Sequence, residues 1–176
     1  SPVSGDHPYD VSKSCEDLIA QSYYKTYNIP IIITRFANVY GEGDFHFGRI
    51  IPDICKAVIN KETLFLRSNG KYVRDYIYVD DVVNGYIYLL KYANKIKGEA
   101  FNFSSDENCS VIEVINRCEK ILKIKIPFKI LNKTNNEIPY QHLNYSKIKK
   151  IGWMPKYSFE NSLEKTFLWY RTILNK

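Results

Sequence analysis

The sequence lacks the features that mark several large classes of protein. Its four cysteines form no Cys-x-x-Cys pair, and no histidine stands at metal-ligand spacing, so neither a disulfide framework nor a metal site is predicted. This use of cysteine suits a reducing cytoplasm. No apolar run approaches the ~20 residues that a membrane span requires, and the first residues do not resemble a signal peptide. We therefore expect a soluble, cytoplasmic protein that has no membrane partner.

Methionine and clustered charge are also scarce. The only methionine is Met154, so the chain does not begin at an initiator, and we expect a fragment or a processed form. The formal net charge is +6, but the basic residues are scattered and form no stripe that would bind nucleic acid. A solvent-exposed surface explains this charge better than a surface that binds a polyanion. A moderately basic cleft would also suit a diphosphate-bearing substrate.

What the sequence does contain is an alternation of helical and strand patterns. Periodicity predicts helices at residues 8–27, 50–59, 81–93, 111–122 and from 159 onward, and strands at residues 31–36, 64–66, 72–79, 99–103 and 127–131. Asn69 and Gly70 predict a tight turn that makes a hairpin of the second and third strands. Asp80 and Ser110 are the expected N-caps of the third and fourth helices. The first helix would place one face toward the core, and the last helix carries an apolar stripe; these are Val11, Cys15, Leu18, Ile19 and Ser22, and Phe159, Leu163, Phe167 and Tyr170. The β-branched run at residues 31–36 is typical of a strand in a parallel sheet. The predicted fold class is therefore α/β.

One element that usually accompanies such a fold is missing. No glycine-rich phosphate loop occurs anywhere in the 176 residues, although a nucleotide-binding α/β fold normally carries one after its first strand. We therefore expect that a segment upstream of these residues is absent.

Two residues of the first helix form a candidate catalytic pair. Tyr9 and Lys13 stand at i and i+4, so the predicted helix carries them on one face. A tyrosine has a pKa near 10, and lowering it to about 7 requires roughly 4 kcal/mol. An ammonium group ~4 Å away supplies about that much at an effective dielectric near 20. The pair is thus a candidate acid or base for a hydroxyl proton, whereas an isolated Tyr-x-x-x-Lys spacing is more often an exposed pair.

The segments around this pair carry a resemblance to a known family. HPYDVSKSC at residues 7–15 resembles the active-site helix of the extended short-chain dehydrogenase/reductase family, the NAD-dependent epimerases and dehydratases. Further segments resemble that family in the same order, namely TRFANVYG at 34–41, RIIP at 49–52, RDYIYVDDV at 74–82, AFNF at 100–103 and GWMP at 152–155. Within the family, residues 8–15 and 40–44 are most similar to CDP-glucose 4,6-dehydratases.

The resemblance implies a fold and a reaction. The fold would be the C-terminal part of a Rossmann-type doubly wound sheet with a smaller mixed α/β substrate-binding lobe. Residues 1–40 would belong to the Rossmann domain and residues 41–176 mainly to the lobe, with about 79–104 returning to the sheet. The implied activity is a sugar-nucleotide 4,6-dehydratase of surface-polysaccharide or deoxysugar synthesis. It would use NAD, ahead of NADP, and pass through a 4-keto sugar.

The resemblance also implies roles for single residues. Tyr9 would take the C4 hydroxyl proton while Lys13 holds the nicotinamide ribose, so both would also bind cofactor. Asn38 would contact the nucleotide-sugar, and Arg49 and Arg74 would lie by its phosphates, a role that suits the forked, permanently charged guanidinium. Either arginine could instead be a surface or ion-pair residue.

Alternatives remain open at this stage. The strand before the Tyr9 helix, which in dehydratases carries the acid and base for water elimination, lies outside the chain, so a 4-epimerase or another dehydratase is the alternative enzyme. A non-catalytic remnant or interaction module is the alternative from another class. We expect a homodimer for the intact enzyme, and we expect these 176 residues alone to be inactive and to bind NAD weakly, because a strand such as residues 31–36 needs neighbours on both edges.

Overall fold

The computed structural model describes residues 7–133 and 138–174, which form an α/β structure. The described helices are α1 (Pro8–Tyr27), α2 (Ile50–Asn60), α3 (Val79–Tyr92), α4 (Val111–Leu122), α5 (Ser146–Lys150) and α6 (Phe159–Leu174). The described strands are β1 (Ile33–Phe36), β2 (Asn38–Tyr40), β3 (Leu64–Leu66), β4 (Val73–Tyr78), β5 (Ala100–Phe103), β6 (Asn108–Ser110) and β7 (Phe128–Ile130). The predicted α/β class is confirmed.

A parallel pair, β1 and β5, carries the first helix. Ile33 pairs with Ala100 and Phe36 with Phe103. The predicted strand at residues 31–36 is confirmed from Ile33 onward, and ahead of it the Ile31 carbonyl accepts from the Gly98 amide at 2.7 Å in the turn before β5. Within the described residues the other edge of β1 has no strand beside it.

The strand β4 lies at the centre of the second sheet. It pairs in parallel with β2 and antiparallel with β6, in the order β2-β4-β6. The predicted hairpin of residues 64–66 with 72–79 is therefore wrong, since β3 pairs in parallel with β7 instead. The turn itself exists, with Gly70 at a φ of 77°. Tyr76, Ile77 and Tyr78 are buried, so β4 is covered on both faces, as expected for a central strand.

Helices α2, α4 and α6 enclose the larger core. The prediction that Ser110 caps α4 is confirmed, and the structure adds a capping box with Glu113. The predicted stripe of α6, Phe159, Leu163, Phe167 and Tyr170, is buried. The prediction that Asp80 caps α3 is wrong. Tyr78 holds the cap position, and the Asp80 carboxylate accepts from Lys165 at 3.0 Å. That ion pair joins α3 to α6.

The first helix is held on β1 by a polar contact. Arg35 Nε donates to the buried Asp17 carboxylate at 2.6 Å, and Gln21 donates to the same group. The Arg35 hydrogen bond holds the pKa of Asp17 below its ordinary value. The predicted apolar face of α1, which includes Val11, Leu18 and Ile19, is exposed. Charge pairing rather than apolar burial therefore orients the helix that carries Tyr9 and Lys13.

Replacing Asp17 with Asn is expected to destabilise the chain by about 1 kcal/mol at neutral pH, because it loses the charged half of the Arg35 contact. The folded-state pKa of Asp17 is depressed, so this stabilisation is complete above about pH 4 and disappears as the pH falls through the folded-state value. Urea unfolding of the unsubstituted and substituted proteins across this range measures it. Glu16→Gln, which removes an exposed ion pair on the same helix, is the control. A pH-independent difference between the unsubstituted protein and Asp17→Asn would contradict the assignment.

Candidate functional site

Two clefts meet at the start of α1. The first, the β1-edge cleft, has a volume of about 1250 Å³ and is lined by Tyr9, Lys13, Asp17, Arg35 and the length of β1. The second, the arginine cleft, has a volume of about 630 Å³, within the range of small-molecule sites. Its lining includes Tyr9, Asn38, Arg49, Arg67 and Arg74. Tyr9 borders both clefts, as do Ile138 and Gln141.

The start of α1 places both residues of the candidate pair at the β1-edge cleft and Tyr9 at the arginine cleft as well. Pro8 occupies the first turn and His7 caps the helix by accepting from the Tyr9 amide at 3.3 Å. Tyr9 is 63% exposed. Lys13 Nζ lies 2.7 Å from Glu16, which raises the pKa of Lys13, and Tyr9 adds a smaller contribution in the same direction. Because both partners of this ion pair are exposed, turning Lys13 toward a ligand costs little.

Arg49 lies at the N-cap of α2 and reaches the arginine cleft from a loop. Its Nη1 donates to the Asp44 carboxylate at 3.0 Å, and the Arg49 side chain is 60% exposed. The same carboxylate accepts from the His46 amide at 2.9 Å. One edge of the guanidinium is therefore held in place by the loop while the side chain stays accessible from the cleft.

Arg74 enters the same cleft from β4 and is held by backbone oxygens. Its Nη1 donates to the carbonyls of Val73 at 2.9 Å and Ile138 at 2.6 Å. The guanidinium also lies 5.9 Å from the centre of the Tyr72 ring. Arg74 thus fastens the segment after residue 137 to β4 at the point where that segment lines the cleft.

Asn38 and Asp75 join β2, β4 and that segment. The Asn38 amide donates to the Asp75 carbonyl at 3.0 Å. Asp75 is 1% exposed, and its carboxylate accepts from Ser104 Oγ at 2.8 Å and from the Leu143 amide at 2.6 Å. His142 Nδ1 lies 2.8 Å from the same carboxylate. Asp75 is thus a buried junction between three segments of the chain.

The structure also adds residues that sequence patterns did not single out. Arg67, which follows β3, donates from Nη2 to the Gly48 carbonyl at 2.8 Å and lines the arginine cleft. Gln141 lines both clefts. Neither residue lies in a recognisable motif. Gln141 reaches the site because its backbone N–H donates to the Val73 carbonyl at 3.1 Å. Only the pairing of distant segments identifies them.

Residues 7–133 and 138–174 contain neither of two other kinds of site. No group of three or more metal-ligating side chains there could hold an ion. Among the same residues, no helix combines the length and apolarity needed to cross a bilayer.

Comparison with known proteins gives a consistent result. The model of the NAD dependent epimerase/dehydratase family matches residues 1–104. The dTDP-D-glucose 4,6-dehydratase of Dictyostelium discoideum is 28% identical over 99% of this chain and 48% of its own length. The dTDP-glucose 4,6-dehydratase of Escherichia coli is 31% identical over 95% of this chain and 49% of its own. The chain therefore spans about half the length of these curated relatives.

Solved structures show the same relation. The dTDP-glucose 4,6-dehydratase of Bacillus anthracis, in complex with NAD, superposes with a TM-score of 0.86 at 29% identity, over 97% of this chain and 54% of that one. The UDP-glucose 4-epimerase of Thermotoga maritima, with UDP-glucose, has a TM-score of 0.84 at 26% identity, over 95% and 54% of the two chains. Both dehydratases and epimerases thus share this fold.

Replacing Asp75 with Ala is expected to destabilise the chain by about 3 kcal/mol, because the buried donors around it lose their acceptor. Urea unfolding measures the loss, and limited proteolysis should show faster cleavage near residues 138–143, which Asp75 anchors. Asp106→Ala, which removes one hydrogen bond with Tyr145, is the control and should cost far less. Equal losses of unfolding free energy from Asp75→Ala and Asp106→Ala would show that Asp75 does not hold these segments together.

Proposed function

The chain belongs to the NAD-dependent epimerase/dehydratase family, and on that basis we propose that it is the substrate-binding part of a nucleotide-sugar 4,6-dehydratase. The observation that carries the proposal is the lining of one cleft by Tyr9, Asn38, Arg49 and Arg74. A candidate proton carrier and two permanent cations in one cleft suit a sugar hydroxyl joined to a diphosphate. The division into residues 1–40 of a Rossmann domain and residues 41–176 of a lobe, with 79–104 returning to the sheet, is part of the same proposal.

Tyr9 is the proposed acid and base of the reaction. Its exposed side chain borders both clefts, so it can meet a sugar that lies in the arginine cleft. Taking the C4 hydroxyl proton prepares that carbon to become a ketone. NAD, when bound, would accept the hydride from C4 and return it to C6 after water is lost.

The residues present fit only one end of that cofactor. Tyr9 and Lys13 line the β1-edge cleft, where we propose that they hold the nicotinamide ribose. The pyrophosphate of a dinucleotide needs a row of backbone donors at a helix N-terminus after a glycine-rich turn, and the sequence has no such turn. The proposed active unit therefore requires a glycine-rich segment in addition to these 176 residues, with NAD preferred to NADP.

The arginines are proposed to bind the diphosphate. Arg49 and Arg74 reach the arginine cleft from a loop and from β4, and Arg67 supplies a third guanidinium. The guanidinium group is a forked, permanently charged donor, which suits phosphate oxygens better than the ammonium of a lysine does. The Asn38 amide is engaged with the Asp75 carbonyl, so we propose that Asn38 contacts the nucleotide-sugar through its remaining polar atoms.

The finer assignment rests on resemblance. Residues 8–15 and 40–44 are most similar to CDP-glucose 4,6-dehydratases, whereas the compared relatives named above are dTDP-glucose dehydratases and a UDP-glucose epimerase. We retain CDP-glucose as the first substrate to test and a 4-epimerase as the alternative. A homodimer, a cytoplasmic location and a role in surface-polysaccharide or deoxysugar synthesis belong to the same proposal.

The reaction is tested by product mass. The experiment uses the protein expressed from a reading frame that joins this chain to an upstream glycine-rich segment, incubated with CDP-glucose, dTDP-glucose and UDP-glucose in turn. We expect a product lighter by one water and a 4-keto chromophore with CDP-glucose. A product of unchanged mass would replace the dehydratase with an epimerase. A reading frame with a start codon next to Ser1 would instead favour a non-catalytic remnant or interaction module.

Replacing Tyr9 with Phe in that protein is expected to lower turnover by about 10² or more, because it removes the hydroxyl that exchanges the proton. Steady-state kinetics with the accepted nucleotide-sugar measures the loss. Tyr27→Phe, an exposed tyrosine at the far end of the same helix, is the matched control. Unchanged turnover would remove Tyr9 from the mechanism.

A further inference from the structure

The loop at residues 41–49, between β2 and α2, contacts three side chains of the last helix. Lys165 Nζ lies 3.6 Å from the Glu42 carboxylate. The rings of Phe45 and Trp169 lie 5.5 Å apart, and those of Phe47 and Tyr170 6.2 Å apart. Positions 165 and 169 are one helical turn apart, so the Glu42 and Phe45 contacts follow one face of α6, and Tyr170 lies beside that face.

A hydrogen bond from a buried side chain also attaches the loop to the helix. The Tyr170 hydroxyl donates to the backbone carbonyl of Asp44. Tyr170 is fully buried, and burial raises its pKa, so its hydroxyl stays protonated and remains a donor. A backbone carbonyl that is bound in this way cannot turn without leaving a buried hydroxyl unsatisfied. Tyr170 therefore specifies the backbone orientation at Asp44.

The side chain of Asp44 in turn binds and orients Arg49. Its two carboxylate oxygens accept from the His46 amide at 2.9 Å and from Arg49 Nη1 at 3.0 Å. The orientation of the Arg49 guanidinium in the arginine cleft thus depends on Asp44, and that of Asp44 on Tyr170. The distance along the sequence between Tyr170 and Asp44 is 126 residues, so no local motif contains this relay.

We propose that Tyr170 is a positioning residue for the phosphate-binding arginine of the cleft, acting on Arg49 through Asp44. The inference rests on the proposed function, in which Arg49 binds the diphosphate of the nucleotide-sugar. Tyr170 lines neither cleft, so it acts on substrate affinity by orienting another residue rather than by contact.

The experiment compares Tyr170→Phe, Arg49→Ala and the double variant in the upstream-completed protein. Tyr170→Phe keeps the ring and removes only the hydroxyl, and we expect it to raise KM for the nucleotide-sugar about five-fold with kcat nearly unchanged. In the Arg49→Ala background the same change should no longer alter KM, because the residue through which it acts is gone. A KM rise that persists in that background would overturn the inference.

Tyr145→Phe is the matched control. Tyr145 is buried, and its hydroxyl donates to Asp106 at 3.0 Å, away from the loop at residues 41–49. We expect no change in KM from this substitution, and a rise equal to that of Tyr170→Phe would overturn the inference. Unfolding midpoints of all variants show whether a variant has lost its fold.

Asp44→Asn tests the positioning of Arg49 independently if Tyr170→Phe does not fold. It keeps an oxygen for the His46 amide and weakens the hold on Arg49, so KM should again rise while kcat stays. If Arg49→Ala raises KM but neither Tyr170→Phe nor Asp44→Asn does, the positioning role is wrong and the proposed function stands. If Arg49→Ala leaves KM unchanged, the phosphate-binding role fails and the inference fails with it.

Discussion

The central strand β4 is the constraint on which the other parts of the structure depend. It pairs with β2 on one edge and β6 on the other, and its buried Asp75 accepts from Ser104 and the Leu143 amide. A carboxylate in the core is stable only when its oxygens are bound, so these segments must converge on it. The adjacent Arg74 binds the Ile138 carbonyl and lines the cleft. One strand thus organises the core on one side and the candidate site on the other.

The candidate site is built from elements that are distant in sequence and held by polar contacts. Tyr9 comes from a helix that a carboxylate and an arginine hold on β1, and Arg49 comes from a loop attached to α6. In this arrangement each cation of the cleft is bound to an oxygen of a neighbouring segment, as Arg49 is to Asp44 and Arg67 to Gly48. No single segment contains the candidate site, so assembly of the site depends on the fold as a whole.

Hydrophobic periodicity was sufficient for most of the helices and insufficient for the strand pairing. The α6 stripe and the Ser110 capping box were predictable because both depend on residues three or four apart. The hairpin prediction failed because a turn signal at Gly70 shows that the chain reverses but not which strand it then joins. Asp80 failed as a cap because α3 begins at Val79, which places Asp80 inside the first turn, where its carboxylate accepts from Lys165, 85 residues away.

The sequence by itself determined the α/β class, the helix that carries Tyr9 and Lys13, and the family, because these depend on local spacing and on motifs read in order. Only the tertiary structure decided that Tyr9, Asn38, Arg49 and Arg74 share one cleft, that Arg67 and Gln141 join them, and that α6 holds the Arg49 loop. The physical reason is that convergence of side chains depends on which strands pair and which buried polar groups must be satisfied. Those choices are made between residues far apart in the chain.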